Sequence, residues 1–192
     1  MLSEEEKERY GRQALISGWD QEKLKRTSVF IAGLGGLGSA SALYLAAAGI
    51  GRLHLCDGDR VERSDLNRQV LYSESSLGSF KVEEAGRRIV SLNPAVSVIG
   101  HNVFLDSRNA EDITAECQVL VDGLDNMEAR FLLNRVAVRR QIPFVYGAVH
   151  GWQGYAAFFH PPRTGCLSCL IRPEILRPAA VPIWGGTPGM IG

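Results

Sequence analysis

The run Ser28-Val29-Phe30-Ile31-Ala32, followed at once by Gly33-Leu34-Gly35-Gly36-Leu37-Gly38, decides how this chain folds. The first five residues are β-branched, aromatic or small and read as a buried strand. Leu37 to Ala48 is alanine-rich with leucine spacing and reads as a helix that stops at Gly49. The glycines between them have separate uses. Gly33 permits a tight reversal, Gly35 lets backbone N–H groups approach a phosphate, and Gly38 lets the helix pack closely on the strand. The helix N-terminus adds partial positive charge for an anion. Arg52 to Cys56 reads as a second strand, and Asp57 stands at its carboxyl end, where an acid accepts hydrogen bonds from ribose hydroxyls. Such a turn is weak on its own; with strand, helix, strand and acid in this order it predicts a nucleotide site without choosing the nucleotide.

Outward from this unit the pattern repeats. Ser3 and Glu6 form a capping box for an opening helix, Ser3 to about Leu15, whose face carries Tyr10 and Arg12. Lys81 to Leu92 is helical and stops before Asn93-Pro94. Val96 to Val103 alternates as a strand, and Gln118 to Asp122 is a further apolar one. Asn126 to Gln141 reads as a helix capped by Asp125 or Asn126, Pro143 to Val149 as a buried strand, and Gln153 to His160 as a last, antiparallel one. Strands alternating with helices predict an α/β fold: a doubly wound (Rossmann-like), mostly parallel sheet with helices on both faces and an antiparallel extension. Ligands of such sheets bind outside the strand carboxyl ends, where Asp57, Asp125 and Gly147 fall. Residues 173–192 are rich in proline and glycine and read as an irregular loop.

The chain has 192 residues and 45% hydrophobic content, enough for one domain with a proper core. Lys plus Arg and Asp plus Glu both total 21, so overall charge points to neither a nucleic-acid nor a membrane partner. The acidic start, Met1 to Glu6, is no secretory signal and no apolar run is long enough to span a membrane, so a cytoplasmic protein is expected. Four cysteines make no disulfide scaffold. Cys56 and Cys117 read as small core side chains, whereas Cys166-Leu167-Ser168-Cys169 favours metal or redox chemistry. His54, His101, His150 and His160 lack a neighbouring second ligand and read as structural or surface residues.

Beyond Asp57 come Asp59, Ser64, Asn67 and Arg68, then Lys81 at a helix start and Asp125-Asn126 after a strand. A guanidinium and an ammonium can hold a triphosphate and stabilise a leaving pyrophosphate, and an aspartate can hold magnesium. Those are the parts of nucleotidyl transfer. The glycine turn by itself would serve a nicotinamide-dependent oxidoreductase equally well, and each charge singly could be a solvated surface group or a helix cap.

The ordered set Arg9 to Gln13, Gly33 to Gly38, Asp57 to Asp59, Ser64 to Gln69, Gly78 to Val82, Leu92 to Pro94, Asp122 to Asn126 and Cys166 to Cys169 resembles the HesA/MoeB/ThiF family of sulfur-carrier adenylyltransferases, relatives of the ubiquitin-activating enzymes. The resemblance implies ATP and Mg2+ as cofactors and a small ubiquitin-fold partner whose C-terminal Gly-Gly carboxylate is adenylated in molybdopterin or thiamine biosynthesis. Gly33, Gly35, Gly36 and Gly38 would form the phosphate turn, with Gly36 facing the phosphates. Asp57, with Asp59 beside it, would take the ribose. Asn67, Arg68 and Lys81, with Ser64 at the head of their segment, would serve the phosphates, Asp125 the magnesium, and Asn126 beside it would belong to the nucleotide site. Arg12 would reach the ATP site of a partner subunit, since family members work as homodimers. A related class acts on transfer RNA as threonylcarbamoyladenosine dehydratases, and a degenerate subunit that only docks a carrier is a further alternative. Three departures stand out. Asp65 occupies a position where the family usually has asparagine, so its charge is expected either to point away from the phosphates or to weaken ATP binding. The cysteine that related enzymes use for onward transfer falls near Val181. The family's zinc is held by two Cys-x-x-Cys pairs; this sequence has Cys166 and Cys169 only, so an incomplete zinc site and a C-terminally incomplete chain are expected, with a redox pair or two plain thiols as the alternative.

Overall fold

The computed structural model describes residues 1–171. The loop expected over 173–192 and the Val181 position lie outside the described residues. One sheet of six strands runs in the order β3-β2-β1-β4-β5-β6, with β1 Ser28–Ala32, β2 Arg52–Cys56, β3 Ser97–His101, β4 Val119–Asp122, β5 Phe144–His150 and β6 Gln153–Phe159. The first five are mutually parallel, and β6 returns antiparallel to β5. Among the described residues seven α-helices accompany them: α1 Glu4–Tyr10, α2 Gln21–Lys25, α3 Gly36–Ala48, α4 Lys81–Leu92, α5 Ala110–Thr114, α6 Met127–Arg140 and α7 Leu167–Leu170.

Every residue of β1 is buried, because helices cover both faces of the sheet and a continuous apolar run is what such a strand requires. Val29 and Ile31 join Leu53, Leu55, Ala42, Ala46, Val82 and Ile89 on the side of α3 and α4. Phe30 and Ala32 face the other way, into Leu120, Phe131, Leu133, Val136 and Phe144 beneath α6. Alternation along one strand therefore builds two cores. Cys56 and Cys117 are buried small side chains of the second, and burial pushes both thiols up to about 12.

Boundaries differ from the sequence reading where a side chain finds a better partner than the next turn. The opening α-helix keeps its Ser3/Glu6 capping box but stops at Tyr10, and Gln13–Leu15 forms a 3-10 turn instead. The Gln13 side chain donates to the Ala48 carbonyl at 2.7 Å, which ties that turn to the end of α3. β3 is shorter than expected because Val103, Phe104 and Leu105 leave the sheet and line a cavity above it. Two five-residue helices, α2 and α5, escaped the sequence reading; both are too short for a hydrophobic period to register.

Candidate active site

The order of strands reverses between β1 and β4, and there a cavity of about 660 Å³ opens at the strand carboxyl ends. A doubly wound sheet binds ligands at this place, and the volume is that of a small-molecule site. Its floor is the glycine turn. Gly33 has φ +81°, and an added Cβ there would lie 2.7 Å from the Gly123 carbonyl oxygen. A Cβ on Gly38 would stand 1.8 Å from the Gly33 carbonyl oxygen, so α3 reaches the strand only because nothing is there. The resulting mouth presents the unpaired first-turn N–H groups of α3 to whatever enters.

Asp57 follows β2 and bridges two backbones. Its Oδ2 accepts from the Leu34 N–H at 2.7 Å and its Oδ1 from the Asp59 N–H at 2.8 Å. Burial raises its pKa, against the pull of those two N–H donors and of Lys81. Each carboxylate oxygen keeps further acceptor capacity, and Asp57 lines the cavity.

Three cations line the same space, Arg68, Lys81 and Arg130. Arg68 lies on a loop whose own groups hold it: Nη1 donates to the Ser64 carbonyl at 2.9 Å and to Asn67 Oδ1 at 3.0 Å. Lys81 opens α4 and is buried, with 6% of its surface exposed. Its Nζ lies 3.3 Å from Asp59 Oδ2 and 3.6 Å from Asp65 Oδ2. On the opposite rim Asp125 makes no hydrogen bond or ion pair among the described residues, leaving both oxygens available to a cation, and Asn126 caps α6 by accepting from the Ala129 N–H at 2.9 Å.

Gly33, Gly35, Gly36, Asp57, Asp59, Arg68, Lys81, Asp125 and Asn126 thus share the cavity wall. Gly38 lies behind it as a packing residue. Ser64 and Asn67 act one step back, on Arg68. Arg12 is exposed on the turn after α1 and does not line the cavity. Asp65 lines it and is buried. Missed altogether by the sequence reading are Val103, Phe104 and Leu105, an apolar wall whose Phe104 ring lies against Gly58, and Arg130. The Arg130 side chain is buried beside Asp122, Nε to Oδ2 3.9 Å, and donates to the Leu124 carbonyl. Burial pushes Asp122 up to about 6, opposed by Arg130 and the Leu124 N–H. An arginine inside a helix looks like a surface residue until its neighbours are known. His54 and His101, though far apart in sequence, stack with Nδ1 and Nε2 3.3 Å apart.

Away from the cavity the Cys166 and Cys169 sulfurs are 3.8 Å apart. Burial works against the Cys166 thiolate, but hydrogen bonds from the Ser168 backbone and the Asn134 side chain outweigh it and lower the pKa. Two thiolates on one tetrahedral zinc at about 2.3 Å each lie about 3.8 Å apart, so the spacing fits half of such a site. Among the described residues no further ligands gather around them.

An open, mostly parallel sheet with a glycine turn, an acid after β2 and several cations gathered on one cavity at its switch point defines a doubly wound α/β domain of the Rossmann-like class. More narrowly, the chain belongs to the ThiF family, whose pattern matches residues 10–186. It is 39% identical over 204 residues to the sulfur carrier protein adenylyltransferase of Thermus thermophilus, covering 99% of this chain and 75% of that protein. It is 38% identical over 173 residues to the adenylyltransferase and sulfurtransferase MOCS3 of Caenorhabditis briggsae, where it spans 88% of this chain but only 43% of the relative. Among solved structures, the E. coli tRNA N6-threonylcarbamoyladenosine dehydratase TcdA in complex with ATP matches 80% of this chain and 64% of its own, with TM-score 0.75 and 27% identity.

Proposed function

We propose that this chain is an ATP-dependent adenylyltransferase that activates the C-terminal Gly-Gly carboxylate of a small ubiquitin-fold sulfur carrier and releases pyrophosphate, acting as a homodimer. The observation that carries the reading is the placement of Arg68 and Lys81 on one cavity with the glycine turn and Asp57. A triphosphate offers Arg68 and Lys81 more charged oxygens than the pyrophosphate of a dinucleotide does.

In this reading the α3 N-terminus and Gly35 and Gly36 receive the phosphates, and Asp57 accepts from the ribose. Val103, Phe104 and Leu105 supply an apolar wall for the base. Asp125 would hold Mg2+, which supplies charge neutralisation on the departing pyrophosphate. An oxygen of the carrier carboxylate attacks the α-phosphorus, the bond to the bridging oxygen of the β-phosphate breaks, and pyrophosphate leaves with its electrons. Carboxylate and AMP remain joined as a mixed anhydride. No side chain forms a covalent bond, so the contribution of this chain is positioning and charge: Arg68 and Lys81 meet the negative charge that accumulates on the leaving group. Arg12, outside the cavity of its own chain, would serve the site of a partner subunit. Cys166 and Cys169 would hold zinc once two more ligands are supplied.

Exchange of labelled pyrophosphate into ATP, dependent on a Gly-Gly-ending carrier, tests the proposal directly. Exchange that needs both magnesium and the carrier tail supports it. AMP formation stimulated by modified transfer RNA without any carrier would select the TcdA-like alternative instead.

A further inference from the structure

Among the described residues Asp65 is the one acidic side chain buried in the cavity wall, where it lies between Arg68 and Lys81, and its surroundings leave it no freedom to turn away. Its Oδ2 accepts from the Glu62 N–H at 3.0 Å and its Oδ1 from Gln69 Nε2 at 2.8 Å, and the residue is 7% exposed. Each oxygen also faces one cation: Arg68 Nη2 lies 3.7 Å from Oδ1, and Lys81 Nζ 3.6 Å from Oδ2. Lys81 needs such a partner. It is buried at the first turn of α4, where the helix dipole is positive and an ammonium is disfavoured. The other carboxylate beside it, Asp59, has a side chain 54% exposed and is free to follow solvent or ligand; that of Asp65 is only 9% exposed and fixed.

We propose that Asp65 is a positioning residue for the triphosphate, an internal counter-ion whose two oxygens tether Arg68 and Lys81 in their phosphate-facing places before the nucleotide arrives. The proposal rests on the adenylyltransferase reading and assigns a role to the residue that departs from the family's asparagine. A carboxylate so placed repels the bound triphosphate, which weakens ground-state binding. Its return is orientation, felt most when charge builds on the departing pyrophosphate. Affinity and turnover should therefore separate.

The test is Asp65→Asn. Asparagine can accept from the Glu62 N–H with its oxygen and donate to a flipped Gln69 amide, so the loop has a way to keep its fold. MgATP should bind about fivefold more tightly to the variant by calorimetry, while kcat for carrier-dependent exchange falls about tenfold. Tighter binding with unchanged kcat would make Asp65 a mere repulsive bystander, and unchanged binding and kcat with lower thermal stability would make it only structural; either overturns the proposal. A readout that needs no activity is reductive methylation of the nucleotide-free protein, followed at Lys81 by peptide mass spectrometry. Lys81 should react about fivefold faster in Asp65→Asn, and within about twofold of the parent in Asp59→Asn, because the buried carboxylate is the fixed tether. Release of Lys81 by Asp59→Asn alone overturns the proposal even if Asp65→Asn does not fold. Absence of exchange in the parent chain would instead defeat the adenylyltransferase reading, while the labelling result would stand on its own.

Discussion

Gly36 and Gly38 look alike in the sequence and differ in what surrounds them. A Cβ on Gly38 would overlap the Gly33 carbonyl oxygen at 1.8 Å, backbone against backbone, so α3 would have to move off the strand. Gly38→Ala is expected to lose about 3 kcal/mol or more of stability by urea unfolding, the upper end of what overpacking costs. On Gly36 the nearest atom to an added Cβ is Arg68 Cγ at 3.7 Å, an ordinary contact, but the methyl would project where the phosphates are placed. Gly36→Ala should unfold within about 1 kcal/mol of the parent and bind MgATP at least about tenfold more weakly. Equal stability losses in the two variants would refute the division of labour. Asp122 supports a second prediction at this scale. Its carboxyl, ordinarily at 3.8, is pushed up to about 6 by burial despite Arg130. The folded state therefore holds a proton that the unfolded state has lost between those two values. Stability falls as pH rises through this window, by up to about 3 kcal/mol for a shift of two units. The stability difference between parent and Asp122→Asn should accordingly shrink as pH is raised from 4 to 6 and stay level above it; a pH-independent difference would count against the burial argument.

At the scale of elements, local signals carried furthest where backbone needs and side-chain chemistry agree. Ser3 and Glu6 cap α1, Asn126 caps α6, and the long helices α3 and α4 start and stop within a residue of where their glycines, Asn93 and Pro94 place them. Legibility failed where a distant group decided the matter. The opening helix ends early because Gln13 is claimed by Ala48, and β3 ends early because Val103 to Leu105 belong to the cavity wall. The position of Arg130 depends on Asp122 and Leu124, and no pattern along α6 announces it. The cap on α6 also separates two roles of one side chain. Asn126→Ala should lose about 1 kcal/mol through the orphaned Ala129 N–H. Asn126→Asp restores that acceptor and adds charge beside Asp125. Its stability should return to the parent's, but its exchange activity should not if Asn126 faces the nucleotide. Full recovery of both would reduce Asn126 to a cap.

For the molecule as a whole, the doubly wound, mostly parallel class was legible because each βαβ unit announces itself within about 30 residues, and the strand order then found brings the glycine turn, Asp57, Arg68, Lys81 and Asp125 together at the switch point. Arg12 is different: it does not line the cavity of its own chain, and in the proposed function it is the homodimer that would bring it to a nucleotide. A site shared by four loops and three helix N-termini, those of α3, α4 and α6, couples ligand binding to the stability of the entire fold. MgATP at a hundredfold excess over its dissociation constant should stabilise the native state by about 2.7 kcal/mol, which for a domain of this size raises Tm by about 5 to 10 °C. On the adenylyltransferase reading NADH should shift Tm less than MgATP does, because its pyrophosphate offers fewer charged oxygens to Arg68 and Lys81 than a triphosphate. ATP without magnesium should shift Tm less, since the free carboxylate of Asp125 then adds repulsion in place of a metal bridge. Asp125→Asn removes that repulsion, so in the variant the gap between the two nucleotide forms should narrow. A shift with NADH that matches or exceeds the one with MgATP would return the glycine turn to the dehydrogenases.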